Sequence, residues 1–200
     1  MSAPLILVLH PDNPCNTIIT DCDTGEVIYT VSTVHGKQAT TYVKDAEGTT
    51  VAHWEWRDVR SDILTLGSAK PMSASTWLHK NMLPFHRTVT FRDHQNRTFK
   101  WKNVEGGGQM ELYSEDDKQN PMVAFLRSLR YTDRKVDPSV EVRREATLTL
   151  DSRGQEIMNL AIVSFLILEK GRRSRETSQG NVASAYAGES VGSSIMTIIR

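Results

Sequence analysis

Residues 157–168 lie between Glu156 and Glu169, and Asn159 and Ser164 are their only polar side chains. As a helix these twelve residues measure about 18 Å, against roughly 30 Å of bilayer hydrocarbon, so the segment is too short to span a membrane. Asn159 and Ser164 fall about 140° apart around such a helix, so neither side of it is a polar face. A helix with no solvent face has to be surrounded by other structure. Val163, Phe165 and Ile167 also alternate, and periodicity alone leaves a buried strand open. The sixteen-residue stretch from Gln155 to Lys170 exceeds the usual strand and favours a helix. Ser152 followed by Gln155 matches a capping box, but that start puts Gly154 in the first turn; a start at Gln155 is the alternative. Lys170, Gly171, Arg172 and Arg173 read as a C-terminal stop, with cations at the negative end of the dipole.

The rest of the chain reads as strands, and so defines what surrounds the helix. Val27, Tyr29 and Val31 alternate with Ile28, Thr30 and Ser32 after the turn Asp23, Thr24, Gly25. Residues 40–44 and 51–56 flank the turn Asp45, Ala46, Glu47, Gly48, with Ala52, Trp54 and Trp56 on one face. Residues 87–92 and 98–102 flank Asp93, His94, Gln95 and Asn96, placing Val89, Phe91, Phe99 and Trp101 inward and Lys100 and Lys102 outward. Runs at 109–113 and 122–126 follow, and 145–150 alternates with Ala146, Leu148 and Leu150 on one side. Strands at this spacing, with no strand–helix alternation, predict an antiparallel sandwich or barrel. The 200 residues fit one domain. Residues 175–200, rich in Ser, Gly and Ala, are expected to form a mobile tail.

Charge narrows function by exclusion. With 24 basic and 24 acidic side chains, net charge points neither to a nucleic-acid binder nor to an enzyme for acidic substrates. Cys15 and Cys22 read as reduced thiols, with no ligand cluster for zinc. The apolar run 5–9 is too short for a secretory signal. No histidine pair has helical metal spacing, no serine lies in a Gly-x-Ser-x-Gly elbow, and residues 106–108 lack the Lys-Ser/Thr ending of a phosphate loop. No catalytic residue, metal or cofactor is therefore assigned. Arg87, Arg92, Arg97, Lys100 and Lys102 stand against a single acid, Asp93, over residues 87–102. On one hairpin they would form a cationic patch for phosphate groups, although outward Lys and Arg also serve solubility and edge protection.

Arg97, Thr98, Phe99, Lys100, Trp101 and Lys102, then Leu148, Thr149, Leu150, Asp151 and Gly154, then 157–170 with Arg172 and Arg173, resemble a fungal family of intracellular domains. That family is similar in plan to the tubby C-terminal-like superfamily, which includes LURP-one-related proteins and phospholipid scramblases. The resemblance covers residues 17–173 and rests on order and pattern. It implies a barrel of about twelve strands threaded by a hydrophobic C-terminal helix. Tubby domains bind phosphoinositide headgroups with surface Lys and Arg; scramblases add calcium-binding and acylation segments. This chain has no cysteine-rich acylation segment and no EF-hand-like loop.

The expectation is thus a mainly β protein: a single antiparallel β-barrel over residues 1–174 around a buried hydrophobic helix at about 155–170, followed by the 175–200 tail. The expected function is a non-enzymatic binding module in the cytoplasm, peripheral at membranes, for anionic lipid headgroups of the phosphoinositide type or for a protein partner. The alternative is an enzyme or carrier acting on a small apolar molecule in a pocket between barrel and helix.

Overall fold

The computed structural model describes residues 3–81, 88–105, 109–132 and 141–194. Seven strands meander from the N-terminus: β1 (Leu5–His10), β2 (Thr17–Asp21), β3 (Val27–Val34), β4 (Thr40–Asp45), β5 (Thr50–Glu55), β6 (Ile63–Leu66) and β7 (Met72–Ser73). A single helical turn, α1 (Ala74–Trp77), leads to a second meander: β8 (His79–Lys80), β9 (Val89–Arg92), β10 (Thr98–Lys102), β11 (Gln109–Ser114) and β12 (Val123–Leu126). A separate hairpin, β13 (Leu129–Thr132) and β14 (Glu141–Arg144), precedes β15 (Ala146–Leu150). Then come α2 (Ser152–Glu156) and α3 (Met158–Ser194).

β15 is the keystone of the sheet. It pairs antiparallel with β1, setting Leu5 opposite Leu150, and on its other side with β12, setting Phe125 opposite Leu148. The two meanders thereby become one thirteen-stranded antiparallel sheet whose outermost strands are β7 and β8. Flat, thirteen strands at about 4.8 Å spacing would extend roughly 58 Å. Yet Ser73 and His79 are separated only by residues 74–78, which reach at most about 21 Å. The sheet must therefore curl until its edges almost meet. The ladders of the described residues make a mainly β, antiparallel sheet and do not close it into a barrel: β7 pairs with β6 and β8 with β9, and no ladder among them joins β7 to β8. Two-residue edge strands leave few backbone groups to bridge the gap, and α1 occupies the chain between them.

Inside the curl lies α3. Residues 161–166 are all buried, the all-round burial expected from a helix without a polar face. The two polar side chains of the 157–168 run are each met by a strand from a different half of the sheet. Tyr29 on β3 donates its hydroxyl hydrogen to Asn159 Oδ1, and Trp101 on β10 donates from Nε1 to Ser164 Oγ at 2.9 Å. Phe165 packs on Phe125 with ring centroids 4.4 Å apart. Full burial of side chains such as Phe91, Phe125 and Phe165 contributes about 1.5–3 kcal/mol apiece. The strand faces alternate as their sequence requires: Ala52 and Trp54, Phe99 and Trp101, and Ala146, Leu148 and Leu150 point inward and are buried.

The helix itself differs from the expected 155–170 span in both directions. It begins earlier, as α2, capped by Asp151, whose Oδ1 accepts from the Gly154 N–H at 2.8 Å. Gly154 sits in that first turn because a Cβ there would lie 2.5 Å from the Met122 carbonyl oxygen. The helix is interrupted at Ile157, whose φ of −113° and ψ of 24° leave the helical region. α3 then runs past Lys170 to Ser194, so Gly171, Arg172 and Arg173 do not stop it. The backbone of residues 175–194, expected to lack regular structure, is helical. Ile195, Met196, Ile198 and Ile199 lie outside the described residues.

Candidate functional site

The β9–β10 hairpin is formed as expected, with Phe99 opposite Phe91 and Thr98 opposite Arg92. Inward rings leave Arg92, Lys100 and Lys102 on the outer face. The geometry divides the five expected residues rather than gathering them. Arg87 lies outside the described residues. Arg97 is at the turn, where Nε is 2.7 Å from Asp93 and a terminal nitrogen is 3.5 Å from Glu156. Burial opposes the charge on Asp93, but the Arg97 guanidinium and the backbone N–H groups of Arg97 and Gln95 hold its carboxyl below the ordinary range. Lys102, at the other end of β10, places Nζ 3.5 Å from the centre of the Tyr113 ring and donates to the Lys118 carbonyl at 3.1 Å. Arg97 and Lys102 are five residues apart, about 16 Å along a strand. Arg92 donates to Asn96 Oδ1 at 3.2 Å. Lys100 makes no hydrogen bond or ion pair among the described residues. The hairpin thus offers an outer face with Arg92 and Lys100 in diagonal positions, and Arg97 is neutralised.

A second group of charges, read from sequence as a helix terminus, is instead a buried network where α3 leaves the sheet. Glu169 and Arg172 are 0% and 1% exposed and meet at 2.8 Å; Glu169 also pairs with Arg173 at 2.7 Å. Arg173 continues to the Asp12 carboxylate and carbonyl, and Ser128 donates to Asp12 from its backbone N–H at 3.1 Å and its hydroxyl at 2.6 Å. Burial alone pushes the Asp12 carboxyl up, yet the Ser128 hydrogen bonds and the Arg173 charge outweigh it and leave it below the usual value. Lys170 pairs with Asp62 at 2.6 Å and lies 4.1 Å above the Trp56 ring. Desolvating such charges is costly unless each is paired. The network therefore fixes three loops to one turn of α3 and is spent on structure.

Beside it, residues 57–60 form a loop exposed throughout, joining β5 to β6. Val59 at its tip is 97% exposed, the most exposed of the large hydrophobic side chains described. Arg57 and Arg60 flank it, and Lys37 lines the same groove of about 460 Å³. Arg57 approaches Glu55 at 3.7 Å, whereas Lys37 and Arg60 form no ion pair among the described residues. The Gln38 amide donates to the Trp56 carbonyl at 2.8 Å, and the Trp56 N–H to the Ala39 carbonyl at 2.8 Å, so the two loops move as one. This site has no period and no motif; its sequence signal is one apolar residue between two arginines in an otherwise polar stretch.

Two larger cavities flank the gap between the sheet edges. One, about 560 Å³, lies where α3 enters, lined in part by Gly67, His94, Arg97, Glu156 and Asn159. The other, about 470 Å³, lies where α3 leaves, between α1, β9 and the helix. Among the described residues, no three His, Cys, Asp or Glu side chains converge on a common point. No helix of the described residues is long and apolar enough to cross a membrane.

Comparison with curated proteins and with solved structures matches none. One family model, described as a family of unknown function (DUF6593), matches residues 12–174. The match takes in the sheet from the loop before β2, both short helices and α3 as far as its buried ion-pair network. The chain belongs to that family, DUF6593.

Proposed function

We propose that the protein is a non-enzymatic module that binds anionic membrane lipids, docking through the loop at residues 57–60. The observation that carries this reading is Val59, 97% exposed between Arg57 and Arg60 with Lys37 alongside. An isolated exposed valine needs no explanation. One at a loop tip, beside Arg57, Arg60 and Lys37 and a single acid, Asp58, matches an interfacial membrane contact, in which the apolar side chain enters the acyl boundary and the cations meet headgroups. Arg92 and Lys100 on the outer β9–β10 face add to the attraction for phosphates. The open, curled sheet around α3 supports the tubby-like plan as a barrel split along one seam. Free thiols at Cys15 and Cys22 suit a reducing compartment, and the reading places the protein at the cytoplasmic face of a membrane.

Three cations less the adjacent Asp58 leave two net charges, which at about 1 kcal/mol each near an anionic surface supply roughly 2 kcal/mol, or about thirtyfold in affinity. Vesicle flotation tests the proposal. The full chain is expected to float with vesicles containing phosphatidylserine or phosphoinositide at low salt, to stay unbound with phosphatidylcholine alone, and to be released as salt rises. R57Q/R60Q should weaken binding about thirtyfold, and V59D should do so without unfolding a fully exposed site. Absence of flotation on anionic vesicles at low salt, or equal flotation of both variants, overturns the reading.

A further inference from the structure

The cavity where α3 leaves the sheet has an unusual division of chemistry. Leu78 just after α1, Val89 of β9, Val104, and Ile167 and Leu168 of α3 contribute apolar lining, and Lys80, Lys170 and Arg175 contribute cations. Its volume, about 470 Å³, falls within the roughly 300–1,000 Å³ of pockets that enclose a small-molecule ligand. The cations are not equivalent. Lys170 is committed to Asp62 at 2.6 Å, and Glu105, a carboxylate in the same lining, already has an interaction of its own. Lys80 makes no hydrogen bond or ion pair among the described residues. Desolvation by burial and the nearby Arg175 charge both push its amine below the ordinary lysine value.

We propose that this cavity binds a single-chain amphiphile with an anionic head, the chain lying against Leu78, Val89, Val104, Ile167 and Leu168 and the head meeting Lys80. A carboxylate and a phosphate monoester share the chemistry required: one negative group able to accept a charge-assisted hydrogen bond, joined to a flexible alkyl chain. The gap between β7 and β8 provides the entrance, since no ladder of the described residues closes the sheet there. A polar ligand would leave the apolar wall unused, and a neutral hydrocarbon would leave Lys80 unanswered. The assignment does not rest on the membrane-docking reading, because none of residues 57–60 lines this cavity and it can be filled from solution.

Calorimetric titration of the full chain in vesicle-free buffer, below the critical micelle concentration of each probe, tests the assignment. Dodecanoate, dodecyl phosphate and dodecanol are the probes. One equivalent of at least one anionic probe is expected to bind, and the preference between carboxylate and phosphate identifies the head. Dodecanol should bind at least about tenfold more weakly, and K80Q, at an exposed position, should lose a similar factor for the anionic probe, with K80R restoring most of it. I167W fills the cavity from the half-buried part of its wall and should abolish binding while leaving the thermal transition in place; Val104→Trp serves if I167W does not fold. Failure of both anionic probes to bind, a stoichiometry above one, or unchanged binding to K80Q and to the filled variant overturns the proposal. A chain that fails on vesicles but takes one dodecanoate retains this site and loses only the docking reading.

Discussion

Two glycines in the helical C-terminal region should respond in opposite directions to the same substitution. In an exposed helix interior, Gly→Ala stabilises by about 1 kcal/mol, because alanine loses less backbone entropy on folding. Gly171 in α3 is half-buried but has the room that case requires: a Cβ there would meet only the Arg175 guanidinium at 3.6 Å, an ordinary contact with a flexible side chain. G171A should therefore raise the melting temperature by about 2–4 °C for a chain of this size. Gly154 does not fit it. A Cβ there would stand 2.5 Å from the Met122 carbonyl oxygen and 3.0 Å from Val123 Cγ2, and the carbonyl is backbone of the loop leading into β12. It also accepts from the Asp151 N–H at 3.0 Å, so it cannot retreat without losing that bond. Overpacking of this kind costs about 1–3 kcal/mol, and moving the turn endangers the cap from Asp151, worth about 1 kcal/mol. Against these stands a propensity gain of at most about 1 kcal/mol. The net loss is about 1–3 kcal/mol, a fall of roughly 3–10 °C. Circular dichroism melts and urea titrations of both variants beside the parent decide the matter. A G154A protein as stable as the parent, or a G171A protein that melts earlier, would refute the packing argument.

Ser164→Ala removes the acceptor for Trp101 Nε1, leaving a donor buried at 0% exposure; a loss of about 1–3 kcal/mol is expected by denaturant unfolding, with an altered near-ultraviolet dichroism from Trp101. Acid should destabilise the fold through Asp12. Its folded pKa is lowered, so its contribution is fully present above the unfolded value near 3.8 and disappears as pH falls below that value through the folded one. D12N should lower stability at neutral pH and flatten the pH dependence below about 4, as read from melting temperature against pH; an unchanged acid slope would remove Asp12 from the account.

Much of the fold is legible because it is local. The Asp45–Gly48 and Asp93–Asn96 turns announce their hairpins, and the inward positions of Trp54, Trp101 and Leu148 follow from period-two alternation. The burial of α3 follows from its composition. Distant pairings are not legible in the same way. Nothing in residues 146–150 indicates that β15 lies between β1 and β12, because register across 140 residues is set by the whole sheet. Charge partners are hidden for the same reason. Arg97 stood near a single acid in sequence, but Glu156 reaches it from 59 residues away. Arg172 and Arg173 have the sequence of a helix end, yet they pair with Glu169 and Asp12. The exit-end loop carries no periodicity at all, and only exposure in three dimensions singles out Val59.

The position of β15 also dictates the order in which this molecule can come into being. While the chain emerges from a ribosome, each meander can assemble from nearest neighbours as its strands appear. Neither can join the other, for the only strand that bonds to both arrives about 140 residues after β1. Until then β1 and β12 present unpaired backbone edges, the kind that recruit foreign strands, and the hydrophobic faces have no α3 to cover. Such long-range closure is slow compared with local pairing. The nascent chain therefore passes through a late, sticky half-built stage, and protection during synthesis matters most until residues 146–150 have emerged.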